Sequence, residues 1–208
     1  MGMKILIVSA HPDDAEIACS GTVRRYQYQG ATVTSVVTVQ PSTEVNPKRS
    51  TDIVARELAA SYNLSNWDLR VFPTPSHANG RPNLVVDNIT MTKLHQLLEP
   101  CDIAIIPNPE DSHQDHRATY QLAWPYVKKH AKQVWLMHSY PYCHDYHAAA
   151  NHFVEISQFW DFKRRLLECY SSYLTETDIH NIFVAQQYWA QKNRQNLAEC
   201  FTIANSYD

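Results

Sequence analysis

Two short runs of imidazoles and carboxylates stand out in this chain of 208 residues. The first is Ala10-His11-Pro12-Asp13-Asp14-Ala15-Glu16, and the second is Glu110-Asp111-Ser112-His113-Gln114-Asp115-His116. Histidine nitrogens and carboxylate oxygens are the usual ligands of zinc, which in a hydrolytic site takes about three protein groups and keeps one position open. Such an ion lowers the pKa of water to roughly 7, and a nearby carboxylate that is not a ligand can serve as general base. Either run alone has an ordinary explanation. An Asp commonly caps a helix, and two histidines three residues apart are frequent by chance. Two such runs brought to one crevice are a different matter, so their placement in the fold decides the question.

The elements that must do the placing can be read from the hydrophobic pattern. Lys4 to Ser9 is a β-branched apolar run of the kind buried on both faces of a sheet. Asp14 to Tyr28 reads as a helix stopped at Gly30, and Thr32 to Val39 as a second buried strand. Strand, helix and strand in this order form a right-handed βαβ unit. The alternation continues with a helix over 47–62, a strand over 69–72 and a helix over 88–98. A strand over 102–107, a helix from about 115 to 132 and a strand over 134–138 follow. A further strand is expected over 153–156, and 159–196 reads as mostly helical. The expectation is an α/β fold: a Rossmann-like, doubly wound, mainly parallel sheet with flanking helices, in a single domain over 1–208. With the common strand order 3-2-1-4-5, ligands bind where the order reverses, beyond the carboxyl ends of the first and fourth strands. The two polar runs follow those two strands directly.

Composition narrows the function classes. A net charge of -3 offers no basic footprint for nucleic acid. No apolar run approaches the ~18 residues of a membrane span. The five cysteines are scattered, without a CxxC pair, and no secretory leader is recognised, so free thiols in the cytoplasm are expected. A nucleotide-binding reading fails because no GxGxxG follows the first strand; His11-Pro12-Asp13-Asp14 would set negative charge against phosphates.

The chain resembles the PIG-L/LmbE family of zinc-dependent de-N-acetylases. Their AHPDD motif stands as Ala10-His11-Pro12-Asp13-Asp14, continuing to Glu16 and Gly21-Thr22, and their HxDH motif as His113-Gln114-Asp115-His116. Phe153-Val154-Glu155-Ile156-Ser157 with Lys163, and Arg194 with Ala198-Glu199-Cys200-Phe201, are similar to later family patterns. The resemblance implies zinc, or another divalent ion, held by His11, Asp14 and His116. It implies Asp13 as general base, His113 as the group that stabilises the tetrahedral intermediate or protonates the leaving amine, and Asp115 as a carboxylate orienting a neighbouring histidine. One ligand and one base among the adjacent aspartates also agrees with the chemistry that amide hydrolysis demands. The implied substrate is a small N-acetylated molecule, an amino-sugar conjugate of the N-acetylglucosamine type, cleaved to acetate and a free amine. A metal-dependent esterase or amidase on another substrate and a non-catalytic metal-binding protein are the rival readings. Intact Asp13 and His113 argue against the second.

Several positions depart from the family pattern or lie outside it. Ala18 and Ser20 stand where glycine is usual, and Ser112 where the thiol-cofactor deacetylases tend to carry Arg. An arginine on the second helix contacts substrate in many relatives, and Arg49 and Arg56 are both candidates here. Cys143-His144-Asp145-Tyr146-His147, with His138 and His152 nearby, reads as a solvated or substrate-lining loop. Trp160, Tyr170, Tyr173, Tyr188 and Trp189 have helical spacing that suits core packing or the interface of a homo-oligomer.

Overall fold

A computed structural model describes residues 2–39, 50–74, 84–138 and 150–206. Its elements in chain order are β1 (Lys4–Ser9), α1 (Asp14–Tyr28), β2 (Thr32–Val37), α2 (Thr51–Ser65), β3 (Asp68–Val71), α3 (Asn88–His95) and β4 (Cys101–Pro107). They continue with α4 (Gln114–His130), β5 (Ala131–Met137), β6 (His152–Glu155), α5 (Trp160–Glu168), α6 (Glu176–Lys192) and β7 (Ala198–Ser206).

These strands form one seven-stranded sheet in the order β3-β2-β1-β4-β5-β7-β6. β1 pairs in parallel with both β2 and β4, so the reversal of strand order falls between β1 and β4, as the sequence pattern requires. The α/β architecture, mainly parallel and flanked by helices, is the expected one. Alternation along the central strands explains its two-sided core. Ile5, Ile7, Ile103, Ile105, Trp135 and Met137 pack on one face, with Ala15, Val23, Leu58 and Tyr170 from α1, α2 and the end of α5. Leu6, Val8, Ala104, Ile106, Val134 and Leu136 pack on the other, with Leu94 of α3 and Leu122 of α4. A strand with both faces covered is apolar along most of its length, and β1 is buried from Ile5 through Ser9, with Ser9 its one buried polar residue.

The far edge differs from the reading of the sequence. The hydrophobic pattern predicts no strand at β7, yet this segment runs antiparallel between β5 and β6 and pairs with both. Its sequence, AECFTIANS, mixes residues that are poor strand formers with a buried charge, and only its two neighbours make it a strand. Helical structure in 159–196 is interrupted between α5 and α6, where Thr175 and Asp178 form a reciprocal capping box that starts α6. Tyr170 and Trp189 are core residues, whereas Tyr173 and Tyr188 are exposed. No helix among the described residues is long and apolar enough to cross a membrane.

Candidate metal centre

The turn after β1 brings three residues of the first run to the crevice. Asp14 opens α1, and its Oδ2 accepts the backbone N–H of His11 at 2.7 Å, closing the turn on itself. Asp13 precedes the helix with φ 106° and makes no capping bond through its side chain. A non-glycine residue pays about 1–3 kcal/mol for such a backbone, and residues so held concentrate at functional sites. The ordinary role of Asp13 as a cap is therefore not the one it plays here. Asp13 is buried, 4% exposed.

The second run enters from β4. His113 is the N-cap of α4, with its Nδ1 accepting the N–H of Asp115 at 3.2 Å. Asp111 folds back beneath this turn: Oδ1 accepts the N–H of His113 at 2.8 Å and Oδ2 bonds Nδ1 of His116, also at 2.8 Å. Arg117 holds the same turn from outside, donating to the carbonyls of Asp111 and Ser112, each at 2.7 Å. The sequence reading gives neither Asp111 nor Arg117 a role. The only signal is the presence of a carboxylate five residues before His116, and its meaning depends on the loop turning back.

The two runs meet. Asp14 Oδ2 lies 3.4 Å from His11 Nδ1 and 3.2 Å from His116 Nε2. A tetrahedral ion about 2.0–2.1 Å from each donor sets donor pairs roughly 3.3–3.4 Å apart. The two pairs measured from Asp14 thus have the spacing that ligands of one divalent ion require.

His113 joins the same cluster, and the three imidazoles offer ring nitrogens within 4.8 Å of one another. Their outer bonds distinguish them. A carboxylate only accepts, so His11 donates from Nε2 to Asp115 Oδ2 at 3.1 Å and His116 donates from Nδ1 to Asp111. Each then directs its other nitrogen, as a lone pair in the neutral ring, toward Asp14. His113 is the reverse case: Nδ1 accepts a backbone N–H, so the proton of the neutral ring sits on Nε2. Two of the imidazoles turn a ring nitrogen toward Asp14, and the neutral third carries its proton on Nε2.

Charge in the cluster follows from these contacts. Burial, the largest single influence, lowers His11 and His116, but the carboxylates together outweigh it: Asp14 with Asp115 at His11, and Asp14 with Asp111 at His116. The result is about 9 for His11 and about 10 for His116. Burial would raise Asp14, and the two imidazoliums together hold it well below the usual carboxylate range. Asp115 is lowered chiefly by its bond to His11. His113 is lowered by burial and by the positive charge of His11 and His116, so it stays neutral. Without a metal, two protons stand where a dication fits, balanced by the same carboxylates.

Of the remaining expected site residues, Arg56 is exposed on α2 and its Nε donates to the Asp52 carbonyl at 3.2 Å. Arg49 and the Cys143–His147 run lie outside the described residues. His138 is buried and bonds Thr202 Oγ1 at 2.9 Å, while His152 packs edge-on against Trp135.

The family model described as PIG-L, GlcNAc-PI de-N-acetylase, matches residues 6–127, which include both runs and more than half of the chain. The protein belongs to the PIG-L family. Solved structures agree in fold. A conserved protein of Thermus thermophilus superposes with a TM-score of 0.77 at 22% identity, covering 97% of this chain and 94% of that one. An N,N'-diacetylchitobiose deacetylase from Pyrococcus horikoshii gives 0.77 at 17% identity, over 97% of this chain and 83% of its own. The 4-carboxy-2-hydroxymuconate hydratase of Pseudomonas putida gives 0.72 at 16% identity, over 99% and 98%. A hydratase among them means that the PIG-L architecture by itself does not specify the reaction. No curated protein sequence matches significantly.

Proposed function

We propose that this PIG-L family member is a zinc-dependent hydrolase, acting through one catalytic domain, that removes the acetyl group of a small amino-sugar conjugate. The observation that carries this reading is the convergence of His11 Nδ1 and His116 Nε2 on one oxygen of Asp14, each imidazole backed by a carboxylate. A divalent ion held by these three residues would supply Lewis acidity, polarising an amide carbonyl and acidifying water.

The chain's own groups supply the rest. Asp13, buried beside Asp14 and held in a left-handed backbone, is the general base that takes a proton from the attacking water. His113 is the donor to the oxyanion of the tetrahedral intermediate, through Nε2–H. Its Nδ1 is already occupied by a backbone N–H, so it has no second proton to give to the leaving amine. That proton comes from Asp13, which acquired it in the first step. Asp115 holds His11 in the tautomer that presents Nδ1, and Asp111 holds His116 in the tautomer that presents Nε2. Acetate and a free amine are the products.

The test is acetate release from a panel of N-acetylglucosamine conjugates by zinc-loaded protein, with matched acetate esters alongside. Amide cleavage that Asp13→Asn abolishes while zinc stays bound is the expected result. Ester cleavage without amide cleavage would replace the substrate class, and absence of zinc binding would overturn the reading as a whole.

A further inference from the structure

Outside the cluster, the chain buries an ion pair that the chemistry above does not use. Lys163 of α5 and Glu199 of β7 are both fully buried, with Nζ 2.5 Å from Oε1. Both side chains also bond the backbone of α1. Glu199 accepts the N–H of Gly21 at 3.0 Å through Oε1 and that of Thr22 at 2.7 Å through Oε2. Lys163 donates to the carbonyl of Ile17 at 2.6 Å, and Gln186 of α6 reaches the same carbonyl at 3.5 Å.

In an α-helix the N–H of residue 21 is paired with the carbonyl of residue 17. The ion pair reaches both groups of that pair, anion at the N–H side and cation at the carbonyl side. The polarity matches what a helix offers at its two ends, positive at exposed N–H groups and negative at exposed carbonyls. α1, one continuous helix, is therefore gripped partway along its length. The N-terminal part carries Asp13 and Asp14, and the Ile17 carbonyl lies about one turn beyond Asp14.

A buried pair is a poor device for stability alone, since apolar residues of like volume often do as well or better. It is a good device for fixing a position, because its bonds specify where α1 sits along its own axis. Ligands and base must be held to within about 0.5 Å of their working geometry. We propose that Lys163 and Glu199 are positioning residues that set the axial placement of the first turns of α1, and with it the metal affinity of Asp14 and the reach of Asp13. Residues beyond 127, outside the matched family segment, thus tune the centre. The proposal rests on the metal-dependent reading given above.

The test is the neutral double variant Lys163→Met with Glu199→Gln, which removes the clamp without leaving an unpaired buried charge. Folding is checked by circular dichroism, and zinc affinity by chelator competition below the melting transition. A fall in affinity of about tenfold, the lower end of what supporting bonds around a metal site contribute, is expected, together with a lower kcat at nearly unchanged KM. Zinc affinity within twofold of wild type in a folded double variant would overturn the proposal. The wild-type protein offers a second readout that does not depend on the variant folding. Coupling is reciprocal, so zinc must strengthen the clamp as much as the clamp strengthens zinc binding. Amide exchange at Gly21 and Thr22 should slow on zinc saturation by a similar factor, and unchanged exchange would again overturn the idea. A wild-type protein that binds no zinc would instead remove the metal-dependent reading itself.

Discussion

Asp111 Oδ2 and His116 Nδ1 are 2.8 Å apart, and each side chain is 2% exposed. The other oxygen of the same carboxylate holds the N–H of His113, so imidazole and turn are fixed by one group. A buried carboxylate that fixes the tautomer and angle of a ligand histidine typically contributes 10–100-fold to metal affinity. Asp111→Asn should weaken zinc binding by about that factor, since an amide holds the ring less firmly and can turn its donor toward it. Chelator competition measures this directly, and an unchanged dissociation constant would show that the turn holds His116 unaided.

Asp13 allows its backbone and its carboxylate to be tested separately. Asn tolerates the left-handed region better than other side chains and resembles Asp in shape. Asp13→Asn should keep the fold and the metal while reducing turnover by about 10²–10⁴-fold, the range for a general base. Asp13→Ala should lose turnover equally and also melt lower, by about 1–2 kcal/mol of added backbone cost. Equal melting temperatures for the two variants would mean that φ 106° is not maintained.

The pH dependence of the metal-free protein has a defined direction. His11 at about 9 and His116 at about 10 lie above the ordinary 6.5, so their folded values are raised. Raised histidines contribute stability that is present in full below pH 6.5 and lost as pH climbs through about 9 to 10. The melting temperature of chelator-treated protein should fall across that window. Zinc displaces the same protons, so at saturating zinc that decline should disappear. Calorimetric scans from pH 6 to roughly 10.5, with and without zinc, decide it; parallel curves would contradict the assignment.

Gly21 tests the close packing of α1 against the β6 side of the sheet. A Cβ at this position would stand 2.9 Å from Ile156 Cδ1 and 3.0 Å from its Cβ and Cγ2. Alanine is the better helix former by about 1 kcal/mol, whereas overpacking a filled core costs about 1–3 kcal/mol. Gly21→Ala should therefore be destabilising on balance, by about 1 kcal/mol in chemical denaturation. A gain in stability would mean that Ile156 moves aside freely.

The central part of this fold was legible because its information is local. Val-, Ile- and Leu-rich runs mark strands covered on both faces, and the polar residues that follow β1 and β4 are contiguous in the chain. The pairing of β1 with β4 sets the two runs side by side, and Asp14 meets both His11 and His116 there. What escaped the sequence depends on distant partners. Glu199 in AECFTIANS argues against a strand until Lys163 and the α1 backbone are seen to neutralise it. Asp111 reads as one more acid in a polar loop, because its meaning lies in the return of that loop onto His116. Which nitrogen of the neutral His113 ring carries the proton likewise depends on one backbone N–H, that of Asp115.

The place of β7 also governs how the chain can be assembled. It is made after β5 and β6 but lies between them, so neither has that neighbour during synthesis until the segment following α6 has emerged. Until then β5 and β6 each present an open row of backbone donors and acceptors, the kind of surface on which unfinished chains associate. Glu199 sits on that late strand, so the grip on α1 closes only when the sheet does. On the ribosome, the turn after β1 is made well before the strand that completes the hold on α1.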